Sequence, residues 1–538
     1  MEELLDLIQS GSYQAALQSI QEKKEKTGKH EILSILEAAV FQELNDYDAM
    51  YDAIAEGLSM NYKNYELLLM LGDYYRVRNE VQAWLCYENA EFYCEDEQDC
   101  RIIQERRKEL EERITPPGKV SIILLSYHSL DMIKNCIASI RENCSKDSYE
   151  LIVVDNASED GSVEWLREQT DIKLLCNGEN AGFPKGCNQG IRLAESDHDI
   201  LLLNNDTLMM PHSLFWLRMG LYEDVKVGSC GSVSNNAANH QKIKESFPTV
   251  GGYLEYAIKN NIPLKYPYEE RGYLVGFALL IKREALDFVG LLDEQFTPGN
   301  FEDADYGARL LCAGYYNRLC KNSFIFHWGG KAFGKDLTKY QNLLDRNKRI
   351  FEEKWKRSYT EYNTIRTDMI EKMQQTIVGE EFKVLDLACG FGMTLAKLKS
   401  EYPKALMFGI ASDREQAQTA ERYGITVCDS INSMLLEGRK EFDHILGGEV
   451  LERQREPERF LREIRELLKE DGSMLLSVSD VMRYPEEVLK NMLCHAGYTI
   501  TGIWYYGQPS FWGEEAMKEN ALTVTSILYR VSRGEAGE

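Results

Sequence analysis

The polar and apolar residues of 1–115 form no convincing strand pattern, and the stretch is predicted to be helical throughout. The pattern also repeats. Ala15, Ala49 and Ala83 fall 34 residues apart, as do Tyr13 and Tyr47, within Gly-Ser-Tyr-Gln-Ala, Asn-Asp-Tyr-Asp-Ala and Asn-Glu-Val-Gln-Ala. Pro116-Pro117-Gly118 breaks the helical text. Val120–Leu125 follows as a buried strand, then a helix carrying Ile133, Ile137 and Ile140. Strand and helix alternate to about residue 330, which predicts a parallel α/β sheet. Residues 335–375 are polar, rich in Lys and Glu and helical in pattern, as a bridge between domains would be. A third α/β unit opens at Phe382-Lys-Val-Leu-Asp386 and runs to about residue 533, with Gly534–Glu538 frayed. The expected domains are 1–115, 118–335 and 379–533, with a helical linker over 336–378.

At 538 residues the chain has room for about three cores. Its 44% hydrophobic and 28% charged content is that of a soluble globular protein. The net charge of −25 makes the chain a poor candidate for binding nucleic acid, which is not expected as a partner, or an anionic bilayer, since no strong basic patch offsets it. No apolar run approaches the roughly 20 residues that span a membrane. Met-Glu-Glu-Leu-Leu-Asp lacks the basic start and apolar core of a signal peptide. The 13 cysteines are scattered without a CxxC pair, which argues against a disulfide framework or structural zinc and for a reducing compartment. The expected location is the cytoplasm, free or peripheral to the inner face of the membrane.

Two apolar runs end in carboxylates. Leu151–Val154 leads to Asp155, and Leu201–Leu203 leads through Asn204-Asn205 to Asp206. Buried parallel strands deliver polar groups to their C-terminal edge in this way. There, one Asp can hydrogen-bond a nucleobase or ribose, and another can hold a divalent cation against a diphosphate. That pairing points to a nucleotide-activated donor.

Two family resemblances extend this reading. In the helical stretch Leu71-Gly72, Tyr75, Ala83, Tyr87 and Ala90 resemble the tetratricopeptide consensus, with a Gly-to-Ala spacing one residue short. Such repeats imply a surface for protein interaction or oligomerisation. Residues 119–335 resemble a family 2 glycosyltransferase of the GT-A fold. The landmarks, in order, are Ser126-Tyr127-His128, Val153–Ser158, Asn180-Ala181-Gly182-Phe183, Gly186–Gly190, Leu203–Thr207, Gly299–Asp305 and Phe326–Gly329. The resemblance implies a one-step, inverting displacement. Asp206 would bind Mn²⁺ or Mg²⁺, with Asn204 in place of a first Asp, and His327 would be a further ligand or a packed neighbour. Asp303 would be the general base, with Glu302 the alternative, and Asp305 would be structural at the start of its helix. Asp155 would accept from the base ring, with Tyr127 flanking it. Asn156, Asn180, Gly182, Asn188 and Asn205 would line the nucleotide pocket. Lys185 would touch the diphosphate or lie solvated. Gly329–Lys335 has the composition of a lid or of a plain surface loop.

Val384-Leu385-Asp386-Leu387-Ala388-Cys389-Gly390-Phe391-Gly392 resembles motif I of class I methyltransferases that use S-adenosylmethionine (SAM), which would place a SAM-like site at Asp386, Gly390 and Gly392. Phe442–Leu446, Glu449–Glu452 and Leu467–Gly472 extend the likeness over residues 380–480. The departure is at the second strand. The position that usually carries a ribose-binding carboxylate holds Ala411, Asp413 lies two residues beyond, and Arg453 stands where the family has His. A degenerate domain serving structure or docking is therefore expected, with a SAM-binding enzyme as the alternative.

The whole reads as a metal-dependent glycosyltransferase using a nucleotide-diphosphate sugar, of UDP or dTDP type in preference to GDP. Its acceptor would be a protein, such as a surface or flagellar subunit, or a bacterial cell-surface glycan. A bifunctional transferase and methylase in glycan biosynthesis, and a non-catalytic scaffold, are the alternatives.

Overall fold

The computed structural model describes residues 2–329, 337–373, 381–436, 438, 441–507 and 524–534. It divides into two compact units, one of residues 1–269 with 273–354, the other of 270–272 with 355–538.

The first unit begins with helices α1 (Glu2–Gln9), α2 (Tyr13–Thr27), α3 (Glu31–Glu43), α4 (Tyr47–Met60), α5 (Tyr65–Arg76), α6 (Glu80–Tyr93) and α7 (Glu97–Glu111). The repeat has a physical basis here. Tyr13 and Tyr47 open α2 and α4, but of the three spaced alanines only Ala83 is buried, with Ala15 exposed and Ala49 half-buried; Ala16 and Ala53 take the buried positions beside them. A Cβ on Gly72 would lie 2.2 Å from the Tyr87 ring, so glycine lets α5 and α6 close on each other. Asp46, Asn64, Asn79 and Asp96 cap α4 to α7 by accepting backbone N–H bonds. This array shares a core with the next layer through Phe215, Trp216 and Met219. Gln82 donates to the Met219 carbonyl at 2.9 Å, and buried Arg218 pairs with Glu88.

Ten strands follow: β1 (Val120–Ser126), β2 (Tyr149–Asp155), β3 (Ile172–Cys176), β4 (Asp199–Asn204), β5 (Thr207–Leu208), β6 (Val227–Val233), β7 (Tyr268–Arg271), β8 (Ala278–Ile281), β9 (Tyr316–Phe324) and β10 (Phe326–His327). Eight form one sheet in the order β3-β2-β1-β4-β8-β6-β9-β7. β3, β2, β1 and β4 run parallel, and β8 is antiparallel to β4 and β6. The sheet is buried on both faces: Val120, Ile122 and Leu124 enter one core and Ile123 the other, as strand alternation requires. Between the strands lie α8 (Leu130–Asn143), α9 (Ser162–Arg167), α10 (Phe183–Leu193), α11 (Ser213–Leu221), α12 (Val250–Asn260), α13 (Arg283–Val289) and α14 (Glu302–Cys312). Helix α15 (Leu337–Trp355) comes next. It opens the stretch read from sequence as a linker, and through Lys354 it belongs to this first unit.

The second unit has α16 (Tyr359–Asn363) and α17 (Thr367–Lys372), then a sheet of β11 (Lys383–Asp386), β12 (Leu406–Ile410), β13 (Thr426–Cys428), β14 (Phe442–Gly448), β15 (Leu468–Val478), β16 (Tyr498–Gly507) and β17 (Val524–Arg533). Its order is β13-β12-β11-β14-β15-β17-β16, parallel through β15, with β17 antiparallel to both neighbours. Helices α18 (Met393–Glu401) and α19 (Arg414–Arg422) follow β11 and β12.

Candidate functional site

The register of the first sheet collects the chemistry at one edge. Ser126 pairs with Asp155, and Leu125 with Asn204, so β2 and β4 end on either side of the end of β1. Strand spacing puts those ends about 10 Å apart, the scale that separates a nucleobase from its diphosphate.

Asp155 is fully buried. Its Oδ1 accepts the Ser158 N–H at 2.8 Å, while Oδ2 is buried with no hydrogen-bond partner among the described residues, as is the hydroxyl of Ser126. A buried carboxylate oxygen without a donor is expensive unless a ligand supplies one. The Tyr127 ring stands 49% exposed and leans on His128 at 4.3 Å. Asn156 accepts from Asn177 at 2.9 Å, and Asn177 in turn pairs with Gln189.

Across β1, a short ladder joins β5 to β10 and pairs Thr207 with His327. It sets His327 Nε2 3.2 Å from Asp206 Oδ1 and 3.4 Å from the Asn204 amide. Nδ1 must donate to the Asn236 carbonyl at 2.6 Å, because a carbonyl only accepts, and this leaves Nε2 facing the carboxylate. Burial disfavours the imidazolium, but the Asp206 carboxylate outweighs it and the His327 pKa is raised. Cis ligands of an octahedral Mg²⁺ or Mn²⁺ lie about 3 Å apart. The Asp206–His327 spacing, the oxygen–nitrogen donor pair and the tautomer all fit a hard divalent cation. Among the described residues no group of three or more His, Cys, Asp or Glu could hold a metal, so other shell members would come from substrate and water.

Glu302 and Asp303 open α14. Asp303 accepts from Gly276 N–H at 3.2 Å and from Ala304 N–H at 2.8 Å. Glu302 is 6% exposed, and its Oε2 is buried without a hydrogen-bond partner among the described residues. Burial raises both pKa values, that of Glu302 well above the ordinary carboxylate range because the Asp303 charge adds to it. Asp305 is fully buried and paired with Arg309 at 3.0 Å and Lys354 at 2.7 Å.

The remaining sequence candidates divide. Asn180 accepts from Gly182 N–H at 2.9 Å, and Gly182, at φ +78°, sits where a Cβ would fall 2.8 Å from Thr297 and 2.9 Å from Pro298. Both therefore lie beside the loop that leads to Glu302. Asn188 is buried, and its amide is engaged by the Leu292 carbonyl and N–H and by Glu294, a tie between α10 and that turn. The Asn205 amide donates to Ser129 at 2.7 Å. Of the proposed lid, residues 330–335 lie outside the described residues.

Sequence reasoning missed the hub. Gly276 donates to Asp303, while the next residue, Phe277, stacks on His327 at 5.2 Å and accepts the Asn204 N–H. Asn235 brackets the His327 backbone from both sides, at 2.9 and 3.0 Å. The only signal was Asn-Asn after β6, which no motif explained.

In the second unit Asp386 is buried, accepts from Ala388 N–H at 3.0 Å and has a pKa pushed up to about 6 by burial. Gly390 and Gly392 take left-handed φ values of +52° and +83°, and Gly392 starts α18. β12 ends at Ile410, just before Ala411, whereas Asp413 caps α19 through Glu415 and Gln416 N–H and pairs with Arg357 at 3.0 Å. A cavity of about 300 Å³ lies nearby, with Ile410, Ser430, Asn432, Arg453, Phe460 and Glu463 in its lining, and neither Asp386 nor Asp413 reaches it. The glycine turn fits a nucleoside cofactor, but the ribose anchor does not.

Comparison with known proteins agrees with this division. Residues 121–290 match the model for glycosyl transferase family 2, and residues 341–526 match a methyltransferase domain. The chain thus carries a glycosyl transferase family 2 domain and a methyltransferase domain in one polypeptide. It is similar to an uncharacterised glycosyltransferase, YfnE, of Bacillus subtilis, at 26% identity over 39% of this chain and 64% of that protein. It also resembles the poly(ribitol-phosphate) beta-glucosyltransferase of Bacillus spizizenii, at 25% identity over 24% of this chain and 22% of that one. An N-acetylglucosaminyl-diphospho-decaprenol L-rhamnosyltransferase of Mycobacterium tuberculosis matches at 23% identity, over 40% of this chain and 78% of its own. The chain thus spans less than two thirds of the first two. Among solved structures, a mannosyltransferase of Pyrobaculum calidifontis in complex with GDP-Man and Mn2+ covers 77% of this chain and 96% of its own, at TM-score 0.34 and 13% identity.

Proposed function

We propose that the chain is a metal-dependent, inverting glycosyltransferase that moves a sugar from a nucleotide-diphosphate donor to a hydroxyl acceptor. The observation that carries this reading is the buried Asp155 Oδ2, without a hydrogen-bond partner among the described residues, at the same sheet edge as the Asp206–His327 pair. Asp155 accepts from the base ring, with Tyr127 beside it. Asp206 and His327 would hold a divalent cation, which would offset charge on the departing diphosphate. Asp303 takes the acceptor's proton: two backbone N–H groups orient it, and it is more accessible than Glu302. Burial and the neighbouring Asp303 charge favour the protonated form of Glu302, which suits it less to the role of base. Asn156, Asn180, Gly182, Asn188 and Asn205 shape the nucleotide pocket.

The acceptor is a protein or a cell-surface glycan. The helical array recruits it, consistent with a cavity of about 530 Å³ lined by Lys24, Lys29, Glu37, Asp52 and Glu56. The second Rossmann-like domain is a structural or docking module, because Asp413 is committed to its helix cap and to Arg357. No described helix is long and apolar enough to cross a membrane. The proposed domains are 1–115, 118–335 and 379–533, with working locations in the cytoplasm or at its membrane face.

Donor consumption tests the reading. Release of nucleoside diphosphate from UDP-, dTDP- or GDP-sugars should require Mn²⁺ or Mg²⁺ and Asp206. Release that survives both chelation and Asp206→Ala refutes it.

A further inference from the structure

The backbone that delivers Glu302 and Asp303 is under local strain. Asn300 and Phe301, immediately before the pair, both sit in the left-handed region at φ +72° and +73°, and Gly299 precedes them at +155°. Side-chain-bearing residues hold such conformations only where their surroundings fix them. Here one face of α15 does so. Asn347 is fully buried, and its amide nitrogen meets the carbonyls of Phe296, Gly299 and Asn300, each at 2.9 Å. The residue before it, Arg346, donates to the carbonyls of Gln295 and Thr297 at 3.0 and 2.9 Å. Lys354 bridges Asp293 and Asp305, at 2.6 and 2.7 Å, from either end of the same segment. The Tyr340 hydroxyl reaches Asn300 at 3.4 Å.

The matched glycosyltransferase region ends at residue 290, and the matched methyltransferase region begins at 341. Arg346, Asn347 and Lys354 fall inside the matched methyltransferase region, whereas the segment they hold, 293–305, lies beyond the end of the matched glycosyltransferase region. We infer that Asn347 and Arg346 are positioning residues of the transferase: they clamp the carbonyls of 295–300 and thereby fix Glu302 and Asp303 where the acceptor's proton is taken. This rests on the transferase reading, but the clamp itself has a readout independent of turnover.

The test compares the full-length wild type with Asn347→Ala, Arg346→Met and the exposed control Gln341→Ala. Hydrogen exchange is followed over residues 294–303, alongside donor turnover and Mn²⁺-dependent nucleoside diphosphate binding. Asn347→Ala should speed exchange in 294–303 and lower kcat about 10–100-fold, the scale of a small misplacement of a reacting group. Donor KM and diphosphate affinity should stay within about twofold of wild type, since Asp155 and Asp206 are untouched. Arg346 lies at the surface, so Arg346→Met should fold normally and show the same pattern more weakly. Unchanged exchange in both variants overturns the clamp. Faster exchange with unchanged kcat overturns its catalytic role. A wild type that binds and turns over no donor refutes the transferase reading instead, and exchange still decides the clamp.

Discussion

Each of the two mixed sheets has an Asp at or near the end of its second strand, and the two carboxylates are used in opposite ways. At the end of β2, Asp155 leaves one buried oxygen without a donor among the described residues. After β12, the nearest carboxylate is Asp413, which caps a helix with two N–H bonds and pairs with Arg357. One edge retains hydrogen-bonding capacity that only a ligand can use, and the other has committed it to its own scaffold. A shared strand–turn–helix layout therefore says little about activity, because function depends on which polar atoms the fold leaves unsatisfied.

Four perturbations sharpen or break this contrast. The largest effect should come from Asp206→Ala, which removes the charged ligand opposite His327. Turnover should fall by about 10²–10³-fold or more, comparable to losing one transition-state charge stabiliser, as read by diphosphate release. Next is Asp155→Ala, which should weaken nucleoside diphosphate binding by about 10–100-fold, the worth of a hydrogen bond to a charged group, as read by calorimetry. If affinity is unchanged, the orphaned oxygen is not a base receptor.

The pH profile comes third. Burial raises the Asp303 pKa, so the base loses its charge at a higher pH than an ordinary Asp. The acid limb of kcat/KM should therefore lie above about pH 4. The stability sign is opposite to that of an ordinary salt-bridged carboxylate. With the folded pKa of Glu302 raised, the native state holds a proton that the unfolded state has released, and stability falls as pH rises above about 4.5. Glu302→Gln should thus gain stability relative to wild type on going from pH 5 to pH 7, by a few degrees in melting temperature. The smallest effect should be that of Asp413→Ala. It should cost about 1 kcal/mol of stability as a lost cap and leave all nucleotide binding unchanged.

Much of the fold was legible in the sequence because it follows local rules. The 34-residue spacing of Tyr13 and Tyr47 matches the starts of α2 and α4, and the apolar runs ending at Asp155 and Asn204 are strands β2 and β4. Sequence also named the residues that gather at the sheet edge, since each closes or follows a strand. It could not show that His327 meets Asp206, because their contact depends on the two-residue ladder between β5 and β10. Gly276 and Phe277 were hidden in a plain apolar stretch. Their roles come from a backbone N–H and a ring face, which carry no motif. Asn347 was hidden differently: it lies in a polar helix that read as a linker, and its value depends on three carbonyls some fifty residues earlier.

Titration calorimetry of UDP, dTDP, GDP and SAM, each with and without Mn²⁺, decides between the two edges. One nucleoside diphosphate should bind in a Mn²⁺-dependent way, and SAM should give no heat. Micromolar binding of SAM with silence from every nucleoside diphosphate would mean that the ligand site had been assigned to the wrong sheet.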